Sequence, residues 1–377
     1  MIELNNISIF DEEDNHIINL DKIWLNDEIK EYEKIIIYCR EARNNQKYPL
    51  ITYNQNKYIF HYKEDELYSY YLYEKYADFK RPLYTYLPMN YSKIMPDFIK
   101  KKIRKIFDKN KKYSVIELNN NIDLLKRKIK SILREEEKEK TKIIITHDID
   151  TEDGLFRIEP FIEIEKNNKI KSTYFIPLEI IKKHSNYIIK KIIEKGLEVG
   201  IHGIDHSNRE IYQLKKLERE LIKNNSLIKE LKIKGYRSPS LFRSENLYRV
   251  LSKYFYYDSS VSDFETNMHY AKRSGCCTVF PFKRNNMIII PISSPIDSFL
   301  LSLNYSPESI LEIYLKKFEY IKSINGYYCF LNHIEKIYSA NELMEKIFEK
   351  FIKIISSEKN IEILRCDEVK ESEIYTK

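Results

Sequence analysis

The chain has 377 residues, 43% of them hydrophobic and 32% charged, and a formal net charge of +7. That is a globular mix long enough for two domains, and 7 Gly and 11 Pro argue against a long low-complexity linker. Lys and Glu are interleaved without a basic arm, which speaks against a nucleic-acid partner.

The start, MIELNNISIFDEEDN, is acidic where a signal peptide needs a basic region, and no apolar run approaches membrane length, so a cytoplasmic protein is expected. Cys39, Cys276, Cys277, Cys329 and Cys366 are odd in number and form neither a disulfide framework nor a CxxC knuckle. They read as buried thiols, Cys329 lying inside the apolar run Tyr327–Leu331.

Residues 1–138 read as an N-terminal α+β domain of unknown role. Leu50–Tyr53, a turn at Asn54–Lys57 and Tyr58–Tyr62 form a hairpin pattern. Helix-like stretches follow at Leu67–Tyr76, Ile94–Phe107 and Leu124–Lys142, and the charge run Glu135–Lys140 reads as a solvated helix end or a domain joint. The many tyrosines here read as packing rather than a sugar platform, and no catalytic signal stands out.

Residues 139–377 alternate short β-rich runs with longer amphipathic ones. Strands are expected at Ile143–His147, Ser172–Ile176, Glu198–His202, Gly235–Ser238, Tyr256–Ser260, Met287–Ile292, Tyr327–Asn332 and Ile361–Leu364. Helices are expected at Ile180–Lys195, Arg209–Lys232, Pro307–Ile321 and Asn341–Ile355. Such alternation implies an α/β fold with a parallel sheet, and about 230 residues with seven or so units fit a TIM-like barrel. Ser207-Asn208-Arg209-Glu210 is a capping-box pattern, which puts His202 near a strand end and His206 just before a helix.

Four of the 8 histidines, His147, His202, His206 and His333, fall beside expected strand C-termini, as do Asp148, Asp150 and Arg237. In a parallel barrel all these ends open on one face, where active sites form. Asp148 and Asp150 alternate onto one side of their strand, which suits one carboxylate on a metal and one handling a proton. The bland reading is an acidic loop, since Glu152 and Asp153 follow. His202 and His206, three residues apart, can ligate one ion, and with a carboxylate make a His₂Asp set with open positions. Arg237 can hold a carboxylate, although alone it reads as a surface residue. His333 can serve as general acid or be a satisfied structural histidine.

The order D-x-D at Asp148 and Asp150, H-x3-H at His202 and His206, R-x-P at Arg237 and Pro239, and L-x-H at Leu331 and His333 resembles the polysaccharide deacetylases, the NodB-homology or carbohydrate esterase family 4 group. The run Lys171–Ile176 also resembles that family's second strand. The resemblance covers about residues 142–370 and implies a distorted (β/α)₇ barrel with one divalent metal, usually zinc, with Co²⁺, Ni²⁺ or Mn²⁺ as alternatives. It further implies Asp148 as base, Asp150, His202 and His206 as metal ligands, and Arg237 orienting Asp148. His333 would be the acid, supported by Asp258 or Asp263, across the barrel mouth from the Asp148 strand. Pro239 and Tyr257 are candidates for substrate contact.

Three departures stand out. Ile149 splits the usual aspartate pair, Gly203 replaces a common Ser or Thr, and the tryptophan of the fourth motif is missing, the single Trp being Trp24. The implied function is metal-dependent removal of an N-acyl group, acetyl foremost, from a sugar or sugar-containing precursor. The alternatives are a hydrolase of non-sugar amides or O-acyl esters, and a non-catalytic carbohydrate-binding relative.

Overall fold

The computed structural model describes residues 2–26, 32–42, 46–73, 121–133, 140–207, 213–263, 266–268, 271–273, 275–276 and 278–373. They divide into two compact units. The expected helix at 94–107 and most of the charge run at 135–140 lie outside the described residues.

The first unit is an antiparallel sheet ordered β2-β1-β3-β4-β5, from β1 (Ile2–Asp11), β2 (His16–Leu25), β3 (Lys34–Glu41), β4 (Lys47–Asn54) and β5 (Lys57–Phe60). Gln55 and Asn56 join β4 to β5 with φ of 46° and 63°, the two-residue left-handed turn that matches strand twist. Two helices belong to this unit, α1 (Glu64–Leu72) and α2 (Asn121–Leu133). Ile122, Leu125 and Ile129 recur at helical spacing along α2 and are buried. The three strands before β4 extend the expected hairpin into a sheet; β1 and β2 mix polar and apolar residues, whereas β3 carries the apolar run Ile35–Cys39.

The second unit is the barrel. Its strands are β6 (Thr141–Asp148), β7 (Ser172–Ile176), β8 (Glu198–Ile201), β9 (Gly235–Tyr236), β10 (Tyr257–Asp258), β13 (Phe282–Arg284), β14 (Met287–Ile289), β15 (Tyr327–His333) and β16 (Ile361–Leu364). A separate ribbon pairs β11 (Thr266–Met268) with β12 (Ala271–Arg273). The main sheet runs β13-β14-β10-β9-β8-β7-β6-β15, all parallel except β13, and β16 pairs with the start of β6. Ile143, Ile144 and Ile145 of β6 are fully buried, as a strand covered on both faces requires. Beyond β14 the chain reaches back to β15. Ser293 and Ser294 donate backbone N–H to Cys329 O at 3.0 and 3.1 Å, and their hydroxyls accept from Cys329 N–H and Leu331 N–H at 2.8 and 3.0 Å.

The helices are α3 (Glu152–Leu155), α4 (Glu159–Asn167), α5 (Leu178–Lys191), α6 (Leu214–Lys223), α7 (Asn225–Glu230), α8 (Glu245–Leu251), α9 (Asp297–Ser302), α10 (Pro307–Ser323) and α11 (Glu342–Ser356). The expected single helix at 209–232 is two pieces, and the Ser207–Glu210 capping box falls partly outside the described residues. In α11 the sequence dictates the packing. Asn341 caps its start by accepting from Met344 N–H, and Met344, Ile347, Phe348, Phe351, Ile352 and Ile355 form one buried stripe. No helix among the described residues is long and apolar enough to cross a membrane.

One buried ion pair braces the barrel. Lys317 Nζ of α10 lies 2.7 Å from Asp263 Oδ2, and both side chains are fully buried. Removing one partner strands a charge in a dry site. Lys317→Ala should therefore lower stability by about 3–5 kcal/mol in urea denaturation, and Lys317→Met with Asp263→Leu should recover much of it. Equal losses in both variants would mean the ion pair is not what the single substitution breaks.

Candidate active site at the barrel mouth

Strand β6 delivers Asp148 at its last position, and β15 delivers His333 at its last. The two strands pair in parallel with His333 opposite Asp148, and Asn332 opposite His147. Acid and base candidates thus stand on neighbouring strands, which corrects the expectation that they face each other across the mouth.

Alternation then sorts β6. Asp148 faces inward, whereas His147 points to the helix layer. There His147 Nε2 meets Glu165 Oε1 at 2.6 Å, its Nδ1 makes a short contact with Asn332 Oδ1, and its ring packs on Phe161, Tyr174 and Phe348. His147 ends a strand, as expected, without joining the site.

Arg237, just past β9, is wholly buried with its donors satisfied. Nη1 donates to Asp148 Oδ1 at 2.7 Å and Thr146 Oγ1 at 2.9 Å, and Nε and Nη2 donate to Ser259 O and Oγ at 2.8 and 2.9 Å. Its guanidinium lies 4.0 Å over the Phe175 ring. This clamps one carboxylate oxygen and leaves Asp148 Oδ2 facing His202 Nε2 at 3.6 Å.

His202 follows β8 directly, and its Nδ1 bonds Arg237 O at 3.0 Å, which turns Nε2 toward the mouth. The chain then bends through Gly203 (φ 69°) and reaches His206, itself left-handed (φ 56°). A glycine meets that first bend without strain. His202 Nε2 and His206 Nε2 stand 3.4 and 3.1 Å from Asp150 Oδ1. Among the described residues, Asp150, His202 and His206 are the only three His, Cys, Asp or Glu whose ligand atoms all lie within 4.8 Å of one another. Asp150 Oδ1 is buried yet receives no well-formed hydrogen bond from the described residues. A buried carboxylate oxygen with two imidazole nitrogens aimed at it fits a divalent cation. Burial alone would raise the Asp150 carboxyl, but His206 and His202 beside it, with His333 beyond, hold it well below the usual range.

The partner of His333 is Asp297, at the start of α9. Asp297 Oδ1 lies 2.7 Å from His333 Nδ1, and Oδ2 accepts His333 N–H at 2.9 Å and Ser339 Oγ–H at 2.6 Å. This corrects the expected support. Asp258 is bonded by Tyr248 and Ser260, and Asp263 by Lys317. Burial pushes the Asp258 carboxyl up to about 6. Asp297 stands a few residues beyond the run Met287–Ile292, where the strand-end argument could have found it. Tyr257 is corrected as well. It is fully buried and bonds Glu198 Oε1 at 2.8 Å, at the starting end of β8, away from the mouth. Its ring fills the space that a side chain at Gly235 would need. Pro239 is buried in the turn just after Arg237.

A further carboxylate was not anticipated. Glu335 lies two residues past His333 and accepts from the backbone of Asp150 and Thr151. Burial and the Asp150 charge push it up to about 7.

Residues 135–257 match the family described as polysaccharide deacetylase. That stretch includes Asp148, Asp150, His202, His206 and Arg237, while Asp297 and His333 lie beyond it. No curated protein gives a significant match. Among solved structures, a candidate polysaccharide deacetylase from Mycobacterium smegmatis is similar with a TM-score of 0.50 and 15% identity, over 63% of this chain and 92% of that one. The Puue allantoinase is similar with a TM-score of 0.50 and 11% identity, over 62% and 90%. At these identities the likeness shows a shared barrel fold. A carbohydrate esterase family 4 pseudoenzyme from Bacillus anthracis superposes more loosely, with a TM-score of 0.42 and 15% identity over 61% and 65%.

Burial opposes the charged form of His333, but Asp297, together with Asp150 and Asp148, raises it to about 10. Folded His333 therefore holds its proton more tightly than unfolded His333. The stabilisation is complete below about pH 6.5 and fades as pH rises toward the folded value. Asp297→Asn should bring the His333 ring titration, followed by NMR, down toward the ordinary imidazole range and flatten stability between neutral and alkaline pH. A His333 titration unmoved by that change would remove Asp297 as its cause.

Proposed function

We propose, from the match of residues 135–257 to the polysaccharide deacetylase family, a metal-dependent hydrolase that removes an N-acyl group, acetyl foremost, from a sugar or sugar-containing precursor. The observation that carries this reading is the meeting, at one barrel mouth, of the Asp150, His202 and His206 cluster with the Asp148–Arg237 and His333–Asp297 pairs. Asp150, His202 and His206 would hold one divalent ion, zinc foremost. When bound, such an ion supplies Lewis acidity, lowering the pKa of a water toward ~7 and polarising the acyl carbonyl.

The chain's own groups do the rest. Asp148 Oδ2 accepts the proton of the attacking water, while Arg237 keeps Oδ1 occupied and the carboxylate aimed. His333 donates a proton to the departing nitrogen from Nε2, because Asp297 holds Nδ1. Pro239 is kept as a substrate contact, and the catalytic work is assigned to residues 139–377. We place this activity in the cytoplasm, in keeping with the buried thiols Cys39, Cys329 and Cys366.

Purified protein should carry about one equivalent of metal, and His202→Ala with His206→Ala should abolish it. Asp148→Asn should keep the metal and lower the rate by ~10²–10⁴. Full metal retention in the double histidine variant would end this assignment of ligands.

The acid and the substrate class can be tested together. An amide nitrogen must be protonated before it leaves, whereas an activated ester departs unaided. His333→Ala should therefore cut deacetylation of an N-acetyl sugar by ~10²-fold or more and affect an aryl acetate much less, with acetate release as the readout. Equal losses on both would make His333 structural. Activity on simple amides or esters with none on any N-acyl sugar would move the protein to the non-sugar reading.

A further inference from the structure

The ladder of β6 ends at Ile149, whose N–H donates to Phe175 O at 2.9 Å. The next two backbone N–H groups, of Asp150 and Thr151, have no strand to bond. Both donate to Glu335 Oε1, at 3.1 and 2.9 Å, and Thr151 Oγ1 lies 3.0 and 2.9 Å from the two Glu335 oxygens. Glu335 is itself buried in a fixed loop. Ile334 N–H donates to Asp148 O at 3.0 Å, and Glu335 O accepts from Tyr338 and Ala340 N–H at 2.8 and 3.1 Å.

Gly154 provides an independent sign of this fit. A Cβ there would collide with Glu335 Oε1 and with Ile334 O. The short helix α3 can approach the carboxylate only with glycine at that position. Thr151 in turn caps α3 by accepting from Gly154 N–H at 3.1 Å, so one carboxylate organises the whole turn that follows Asp150.

We propose that Glu335 is a positioning residue that fixes the backbone of Asp150, so that the Asp150 carboxylate meets His202 and His206 in the geometry a divalent ion needs. This rests on the reading of those three residues as metal ligands. Glu335 touches neither ion nor substrate. It ties the loop carrying the proposed acid to the loop carrying a ligand. Groups that orient a ligand contribute to metal affinity nearly as strongly as the ligands do.

The test uses the full chain, stripped of metal, with zinc affinity measured by competition against a chromophoric chelator. Glu335→Ala should weaken zinc binding about 10- to 100-fold. Glu335→Gln should stay within a few-fold of wild type, because its amide oxygen can still accept both N–H groups. Gly154→Ala should fall with Glu335→Ala, since it pushes the carboxylate away. Melting of the metal-free proteins separates positioning from general loss of structure, and should change little in the glutamine variant. If Glu335→Ala folds poorly, the contrast between Glu335→Gln and Gly154→Ala still decides the matter.

Unchanged zinc affinity in both Glu335→Ala and Gly154→Ala overturns the proposal. Equal losses in the alanine and glutamine variants also overturn it, by making charge rather than position the determinant. A wild-type protein that binds neither zinc, cobalt nor manganese overturns the metal reading and this proposal with it, an outcome told apart by the wild-type measurement alone.

Discussion

The parallel pairing of β6 with β15 is the constraint on which the mouth depends. Its register sets His333 beside Asp148 and, one residue earlier, Asn332 beside His147. Because successive side chains on a strand point to opposite faces, this single register makes two pairs with different fates. The inward pair faces the site, and the outward pair knits the sheet to its helices through Glu165. A slip of one residue would exchange them. His147 would then enter the mouth, and a carboxylate would meet Phe161 and Phe348. The polar network under the helices therefore guards the register that the site needs. Glu165 extends it to β7 by accepting from Ser172 and Tyr174 at 2.7 and 2.9 Å.

Arg237 shows how the barrel tolerates a full charge at its centre. An isolated buried guanidinium is prohibitively costly, but here each nitrogen has an acceptor and the ring of Phe175 lies against its face. Asp148 is the only carboxylate among those acceptors. Losing either residue would leave the other charge stranded, so stability and chemistry constrain the same pair. Arg237 also carries the carbonyl that holds His202 Nδ1, so its placement reaches the histidine cluster.

Much of the barrel was legible because it rests on local periodicity. Ser172–Ile176 and Ile361–Leu364 were read to the residue, and the expected helices at 307–321 and 341–355 match α10 and α11 within two residues. The same reasoning placed Asp148, Asp150, His202, His206, Arg237 and His333 at strand ends, and these do converge. It failed where a residue's role depends on distant partners. Nothing in Tyr257-Asp258 tells that the tyrosine turns toward Glu198 or that the aspartate serves Tyr248 and Ser260. The barrel expectation already implies that the last long strand returns beside the first, which is the pairing of β15 with β6, and so places His333 next to Asp148 rather than across from it. The antiparallel β13 went unseen, since a three-residue edge strand carries too little pattern to register.

Asp297 and Glu335 share the reason they escaped notice. Where the ladder stops, backbone N–H groups lose their strand partners, and a buried donor left unsatisfied is costly. Both carboxylates fill that role, Asp297 at His333 N–H and Glu335 at Asp150 and Thr151 N–H. Their presence changes the electrostatics of the mouth. Asp148, Asp150, Asp297 and Glu335 bring four carboxylates together, and Arg237 with a protonated His333 balances two of them. Burial, followed by the Asp150 charge, pushes Glu335 up to about 7. A divalent cation between Asp150, His202 and His206 would add positive charge where Asp150 stands. Asp297 and Glu335 thus answer the backbone's need for acceptors at the same loop ends that bring Asp150, His202 and His206 together.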